Sequence, residues 1–232
     1  MTALVVAPTG REARAAGERA VACGAGAGAG PAVARFFRDA RPSLVVLVGV
    51  CGALDPSLRP GDLVLARRVL GSSRPELYCA APLLDAVRSE LRRSGLPFVT
   101  SALLTVERPL ASLREKADAW NASGAAAVDM ESYAVAAAAG DAGTPWVIVR
   151  SVVDPASAAL PASLRGWRSE ADDRAAARAA VLRPWEWPAY LRLAWALREA
   201  TRALHQATPL VIAAGEATTR SAPGVSAAAS AR

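Results

Sequence analysis

Trp146-Val147-Ile148-Val149-Arg150-Ser151-Val152-Val153-Asp154-Pro155 is the stretch on which the reading of this chain turns. Its β-branched and aromatic bulk predicts a strand over 145–153. An acid, Asp154, stands where that strand ends. Open α/β sheets keep their ligand sites outside the carboxyl ends of their strands, so the placement points to a small-molecule pocket. Upstream, Val128-Asp129-Met130-Glu131-Ser132 repeats the arrangement, with an acidic pair between a short strand and a helix.

Working outward, apolar runs predict strands over Ala3–Ala7, ended by Pro8-Thr9-Gly10, and over 43–50, ended by Cys51-Gly52, both buried on two faces. A shorter strand over 62–66 follows the turn Arg59-Pro60-Gly61. Helical spacing of apolar residues covers 82–94, a strand 98–106, a helix 112–120, a strand 125–129 and an alanine-rich helix 131–142. Alternating strands and helices predict an α/β fold, a three-layer sandwich whose central mixed, largely parallel β-sheet is flanked by helices. Beyond it, 183–204 carries Trp185, Trp187, Tyr190 and Trp195 among arginines. From Pro188 its large apolar residues recur at three- and four-residue intervals, as in an amphipathic helix. Such a helix either packs on the sheet or lies in a membrane interface with its tryptophans at headgroup depth. Few large apolar residues follow Ile212, so the expected organisation is one domain over 1–207 and a disordered tail over 208–232.

With 232 residues, 53% of them hydrophobic, the chain can bury one sizeable core as a single domain. The net charge of +6 comes mostly from arginines scattered through predicted helices, without basic blocks or interleaved aromatics, so no nucleic-acid partner is expected. A basic surface instead suits anionic lipid, where each Lys or Arg near the surface contributes roughly 1 kcal/mol. Cys23, Cys51 and Cys79 have neither zinc-ligand nor disulfide-framework spacing, which fits a reduced cytoplasmic protein, peripheral to a membrane if the C-terminal helix binds one. The first residues do not read as a signal peptide, and no apolar run reaches the ~18 residues that span a bilayer. His205 reads as a residue of the last helical turn, favoured by the dipole.

The tract Cys23-Gly24-Ala25-Gly26-Ala27-Gly28-Ala29-Gly30-Pro31 satisfies G-x-G-x-x-G/A spacing at Gly24, Gly26 and Ala29. It is not a dinucleotide fingerprint, because helical composition from Arg11 to Ala20 separates it from the first strand and no acid closes the next strand before Asp55. Its N–H groups, ahead of a helix that Pro31 could begin, suit an anion or a closely approaching sugar, and a flexible connection equally.

Four pieces in order, Gly49-Val50-Cys51-Gly52-Ala53-Leu54, Leu58-Arg59-Pro60-Gly61-Asp62-Leu63-Val64, Val128-Asp129-Met130-Glu131-Ser132 and Arg150-Ser151-Val152-Val153-Asp154, resemble the purine nucleoside phosphorylase and nucleosidase superfamily. Within it, Thr9-Gly10-Arg11-Glu12-Ala13-Arg14, Asp154-Pro155-Ala156 and the segment Leu182-Arg183-Pro184 through Tyr190-Leu191-Arg192 are most similar to hopanoid-associated phosphorylases, also described as adenosylhopane nucleosidases. The likeness covers residues 3 to 204. It implies cleavage of the N-glycosidic bond of a 5′-substituted adenosine, adenosylhopane first, with release of adenine in hopanoid side-chain biosynthesis. Methylthioadenosine, S-adenosylhomocysteine or futalosine are the alternative substrates, and a nucleoside-binding protein without turnover is the reading from another class. A homo-oligomer, taken as a dimer, is implied as well.

Breaking a C1′–N9 bond leaves a ribose oxocarbenium ion and a purine anion, so a catalyst must stabilise positive charge on the sugar and neutralise the base. By the resemblance, Glu131 grips the ribose hydroxyls with Met130 presenting a polarizable face, Asp154 protonates purine N7 and Glu12 activates water. Asp129, Thr105, Gly52 and Arg11 complete the expected substrate contacts. Each acid has a plainer alternative: Asp154 as the cap of a helix begun by Pro155, Glu131 as a first-turn acid, Glu12 as a surface glutamate. Leu47 and Val50 stand where phosphorolytic relatives commonly place Arg and Ser. Inorganic phosphate as co-substrate would therefore rest on Arg11, Arg14, the glycine tract or Thr105, and hydrolysis and phosphorolysis both remain open. No other cofactor and no metal is expected, because the carboxylates are dispersed and departure driven by protonation needs none.

Overall fold

The computed structural model describes residues 3–72, 74–166 and 172–221. Its elements are β1 (Ala3–Ala7), α1 (Gly10–Ala16), β2 (Ala20–Ala22), α2 (Ala29–Asp39), β3 (Leu44–Ala53), β4 (Leu63–Gly71), β5 (Leu77–Tyr78), α3 (Ala81–Ser94), β6 (Phe98–Thr105), α4 (Leu113–Ser123), β7 (Ala127–Asp129), α5 (Ser132–Asp141), β8 (Trp146–Asp154), α6 (Asp173–Leu182) and α7 (Trp187–Ser221). Among the described residues, five of the eight strand pairings are parallel and three antiparallel, so the sheet is mixed and mostly parallel as the alternation predicts. β8 is the hub. It runs parallel to β3 from Val45↔Trp146 onward and antiparallel to β4 at Leu63↔Ser151.

The sheet also closes on itself. β4 pairs with β6, β6 with β7, and β7 returns to the far end of β3 at Gly52↔Val128. Bulges accommodate the turn: the β3–β8 register shifts between Cys51 and Gly52, and β4 shifts against β6 between Ala66 and Arg68. An extra residue in one strand bends it and increases its twist, which brings the ends of β3, β7 and β8 together. Inside, Val45 to Val48 and Val147 to Val149 are buried on both faces. Helices α2 and α5 pack together, and α7 packs on α1, α3, β3 and β8.

Several expectations shift by a few residues for identifiable reasons. β4 continues past the predicted 66 through Arg67 and Arg68, because the Arg68 guanidinium turns outward to Glu76 at 2.8 Å while the backbone keeps pairing. Only the first part of 11–20 is helical; 20–22 adds a parallel edge strand to β1. Pro31 stands in the first turn of α2 rather than opening it.

The larger correction concerns the expected tail. α7 runs unbroken to Ser221 and buries Ala207, Thr208, Val211, Ile212 and Gly215, so 208–221 is packed helix, while 222–232 lie outside the described residues. Small residues there are a packing requirement: a Cβ on Gly215 would come within 2.4 Å of Leu44 Cδ2. His205 consequently sits inside the helix instead of in its last turn, with Nδ1 3.3 Å from Ala15 O. Among the described residues, no helix is long and apolar enough to cross a membrane.

Candidate active site

The gathered ends of β3, β7 and β8, with the first turn of α1, enclose a cavity of about 930 Å³ lined by Glu12, Glu131 and Asp154 together. The three acids widely separated in sequence therefore share one space. Arg11, Gly52 and Met130 also line it.

Glu12 is held by the start of its own helix. Thr9 caps α1 in a reciprocal capping box, its N–H and hydroxyl donating to Glu12 Oε2 at 3.0 and 2.6 Å. Val50 N–H from β3 donates to Oε1 at 2.8 Å. At 7% exposure this is no surface glutamate. Glu131 occupies the N-cap position of α5 but makes no capping bond. Its Oε1 accepts from Gly26 N–H at 2.9 Å, so the glycine tract does present an amide to an anion, and that anion is the protein's own carboxylate. Gly24 and Gly26 have φ of 89° and 68°, a region that side chains disfavour.

Arg150, in mid-β8 and fully buried, organises the cluster. Its Nη2 lies 2.5 Å from Asp129 Oδ2 and 3.2 Å from Glu131 Oε2, and donates to Ser132 Oγ at 3.2 Å. Gly49 makes room for it: a Cβ there would fall 2.2 Å from Arg150 Nη1 and 2.8 Å from Glu12 Oε1. Burial alone would lower the pKa of Arg150, but the fields of Asp129, Glu131 and Glu12 outweigh it and fix the charge. Burial raises Glu12, against the pull of Arg150 and of its hydrogen bonds. Glu131 is pushed up to about 7 by burial, with Arg150 opposing and Asp129 adding to the rise.

Of the expected substrate contacts, Thr105 lies away from the cavity, and Asp129 is tied to protein groups. Thr105 does not line the cavity; its hydroxyl donates to Asp129 Oδ1 at 2.9 Å and accepts from Tyr133 N–H at 3.0 Å, tying β6 to the start of α5. Asp129 touches the cavity, but its oxygens are taken by Thr105, Ser132 and Arg150. They brace the helix that carries Glu131.

Asp154 ends β8 opposite Gly52, and Pro155 begins a turn and not a helix, Ala158 N–H donating to Pro155 O at 3.1 Å. The helix-cap alternative therefore fails. Burial raises its pKa, and Lys116 works against that rise. Lys116, from α4, places Nζ 2.7 Å from Asp154 Oδ2 with 1% of its side chain exposed. Sequence reasoning gave no role to Arg150 or Lys116. For Arg150 the signal was a lone charge inside an apolar strand.

A family model described as the phosphorylase superfamily matches residues 9–183. The chain belongs to the phosphorylase superfamily. It is thus an enzyme of the nucleoside phosphorylase and nucleosidase type. Solved structures of similar shape include futalosine hydrolase of Helicobacter pylori, 12% identical with a TM-score of 0.73 over 92% of this chain and 97% of that one. The 5′-methylthioadenosine/S-adenosylhomocysteine nucleosidase from Neisseria meningitidis, bound to methylthio-immucillin-A, is 18% identical with a TM-score of 0.70 over 92% and 98%. S-adenosylhomocysteine nucleosidase from Streptococcus pyogenes, in complex with 5-methylthiotubericidin, gives 17% and 0.70 over 92% and 96%. At these identities what is shared is the superfamily's fold. No curated protein sequence matches the chain.

Proposed function

We propose that this enzyme hydrolyses the N-glycosidic bond of a 5′-substituted adenosine, releasing adenine, and that the 5′ substituent is a large apolar group such as the hopane of adenosylhopane. The observation that carries this reading is the mixed lining of one cavity, which brings Glu12, Glu131 and Asp154 together with Leu110, Leu160, Leu164, Trp187, Leu191 and Leu197. At about 930 Å³ it lies near the top of the ~300–1,000 Å³ range of ligand pockets, with room for more than a nucleoside.

In this reading, Glu131 accepts from the ribose hydroxyls and sets negative charge beside the oxocarbenium ion. Asp154, whose pKa burial raises against the pull of Lys116, gives its proton to purine N7 as the C1′–N9 electron pair leaves with the base. Glu12 takes the proton of the water that attacks C1′. Hydrolysis is favoured over phosphorolysis because Glu12, Asp129 and Glu131 surround the single buried guanidinium of Arg150, and a phosphate dianion entering there would meet excess negative charge. Arg11 lines the cavity and is the residue on which phosphate use would rest.

Methylthioadenosine, S-adenosylhomocysteine and futalosine, for which the structural neighbours are named, are the alternative substrates. The volume and the many apolar lining residues support the larger group, and the convergence of three acids supports turnover over mere binding. Peripheral membrane contact through α7, by which such a substrate would be reached, and a dimeric assembly belong to the same reading. Adenine release should be followed from adenosylhopane and from methylthioadenosine, with and without phosphate. Phosphate-independent release from the hopanoid nucleoside is expected. Release from methylthioadenosine alone would discard the apolar substituent, and a strict need for phosphate would discard hydrolysis.

A further inference from the structure

Among the 27 lysines and arginines of this sequence, Lys116 is the single lysine. It is also a fully buried cation, and all three of its protons have acceptors. Nζ lies 2.7 Å from Asp154 Oδ2 and donates to Pro155 O at 2.9 Å and Ala158 O at 2.7 Å. Both carbonyls belong to the turn directly behind Asp154. A compact ammonium fits three converging oxygens, whereas a planar guanidinium presents its donors in a fixed fork. A chain that uses arginine everywhere else keeps lysine at this point. Stability is a weak explanation, because burying an ion pair costs about as much in lost hydration as its attraction returns.

We propose that Lys116 is a positioning residue for proton donation, fixing the Asp154 carboxyl and the turn behind it and supplying the counter-charge for the carboxylate that Asp154 becomes. The inference rests on the reading of Asp154 as the acid that protonates the departing purine. In the step itself, the C1′–N9 electron pair goes to the purine and the Asp154 proton goes to N7. The carboxylate left behind is paired with Lys116, whose pKa burial lowers and whose positive charge Asp154 supports. Among the described residues, the other ionisable groups around Asp154 are Cys51 on β3, whose thiol burial holds protonated, Arg192 on α7, which shares with it a smaller cavity of about 230 Å³, and Arg11, Glu12, Asp129, Glu131 and Tyr190, which line the main cavity with it.

The test is the pH profile of kcat/KM for adenine release in wild type and in K116Q. Activity falls at alkaline pH as Asp154 loses its proton, and an adjacent cation lowers a carboxyl pKa by about one unit or more. K116Q should therefore move the alkaline limb up by about one unit or more while lowering the plateau about tenfold, since a weaker acid donates less readily. A lowered plateau with an unmoved limb means a purely structural lysine and overturns the proposal. As the chain has one lysine, labelling lysine with 13C at Cε gives one side-chain signal, which reads the pair without turnover. Its titration midpoint should fall in D154N, and an unmoved midpoint also overturns the proposal. A wild type that releases no adenine from any nucleoside sinks the reading of Asp154 as acid, and this inference with it. An active wild type with an unmoved limb sinks the inference alone.

Discussion

Arg150 neutralises only part of the charge around it, and the remainder falls on Glu131. Burial pushes that carboxyl up to about 7, with Arg150 opposing the rise and Asp129 adding to it. Only its ionised form can accept from two ribose hydroxyls and oppose a sugar cation. As pH rises through about 7 the group gains charge, so kcat/KM should climb roughly tenfold per unit below that point and level off above it, until Asp154 deprotonates. Replacing Glu131 by Gln should remove its part of this acid limb, leaving the part due to the Glu12 base, and lower kcat/KM by about 100-fold or more. A wild-type profile already level at pH 5.5 would contradict the assignment.

Within elements, α7 shows how composition misleads. Gly215 sits mid-helix, where alanine ordinarily gains about 1 kcal/mol over glycine. Here the added methyl would meet Leu44 Cδ2, and overpacking a filled core costs about 1–3 kcal/mol. G215A should therefore lower the thermal midpoint, and an unchanged or higher melting temperature would show that 208–221 is not docked as described. The same helix marks the limit of what the sequence discloses. Strands such as β3 and β8 were legible because burial on both faces demands continuous apolar bulk. Glu12, Glu131 and Asp154 were legible because each stands where an element starts or stops. The second half of α7 was not, since Ala, Gly and Thr chosen for close approach look the same as residues of an unpacked tail. Lys116 was hidden for a different reason: its acceptors come from another part of the chain, and no local pattern on α4 announces them. Thr105 lies away from the cavity in which it was expected, because spacing cannot tell which way a short side chain turns.

For the molecule as a whole, a net charge of +6 accompanies a run of exposed apolar residues over 182–195. Leu182 is 76% exposed and Trp185 72%, followed by Trp187, Leu191 and Trp195. Trp187 and Leu191 also line the cavity, so this surface is continuous with the proposed apolar subsite. Exposed patches of this kind mark interaction sites. Co-sedimentation with anionic vesicles should be several-fold weaker for L182S/W185S than for wild type, and wild-type binding should weaken as salt rises and screens the basic charge. Equal sedimentation of the two proteins would remove this surface from the argument. The closed strand circuit constrains assembly in another way. Among the described residues it leaves the sheet two open borders, β2 of three residues and β5 of two. Neither is long enough to template the backbone of a neighbour, so copies crowded together are protected from fibrous stacking, and any specific self-association must recruit helix faces and loops.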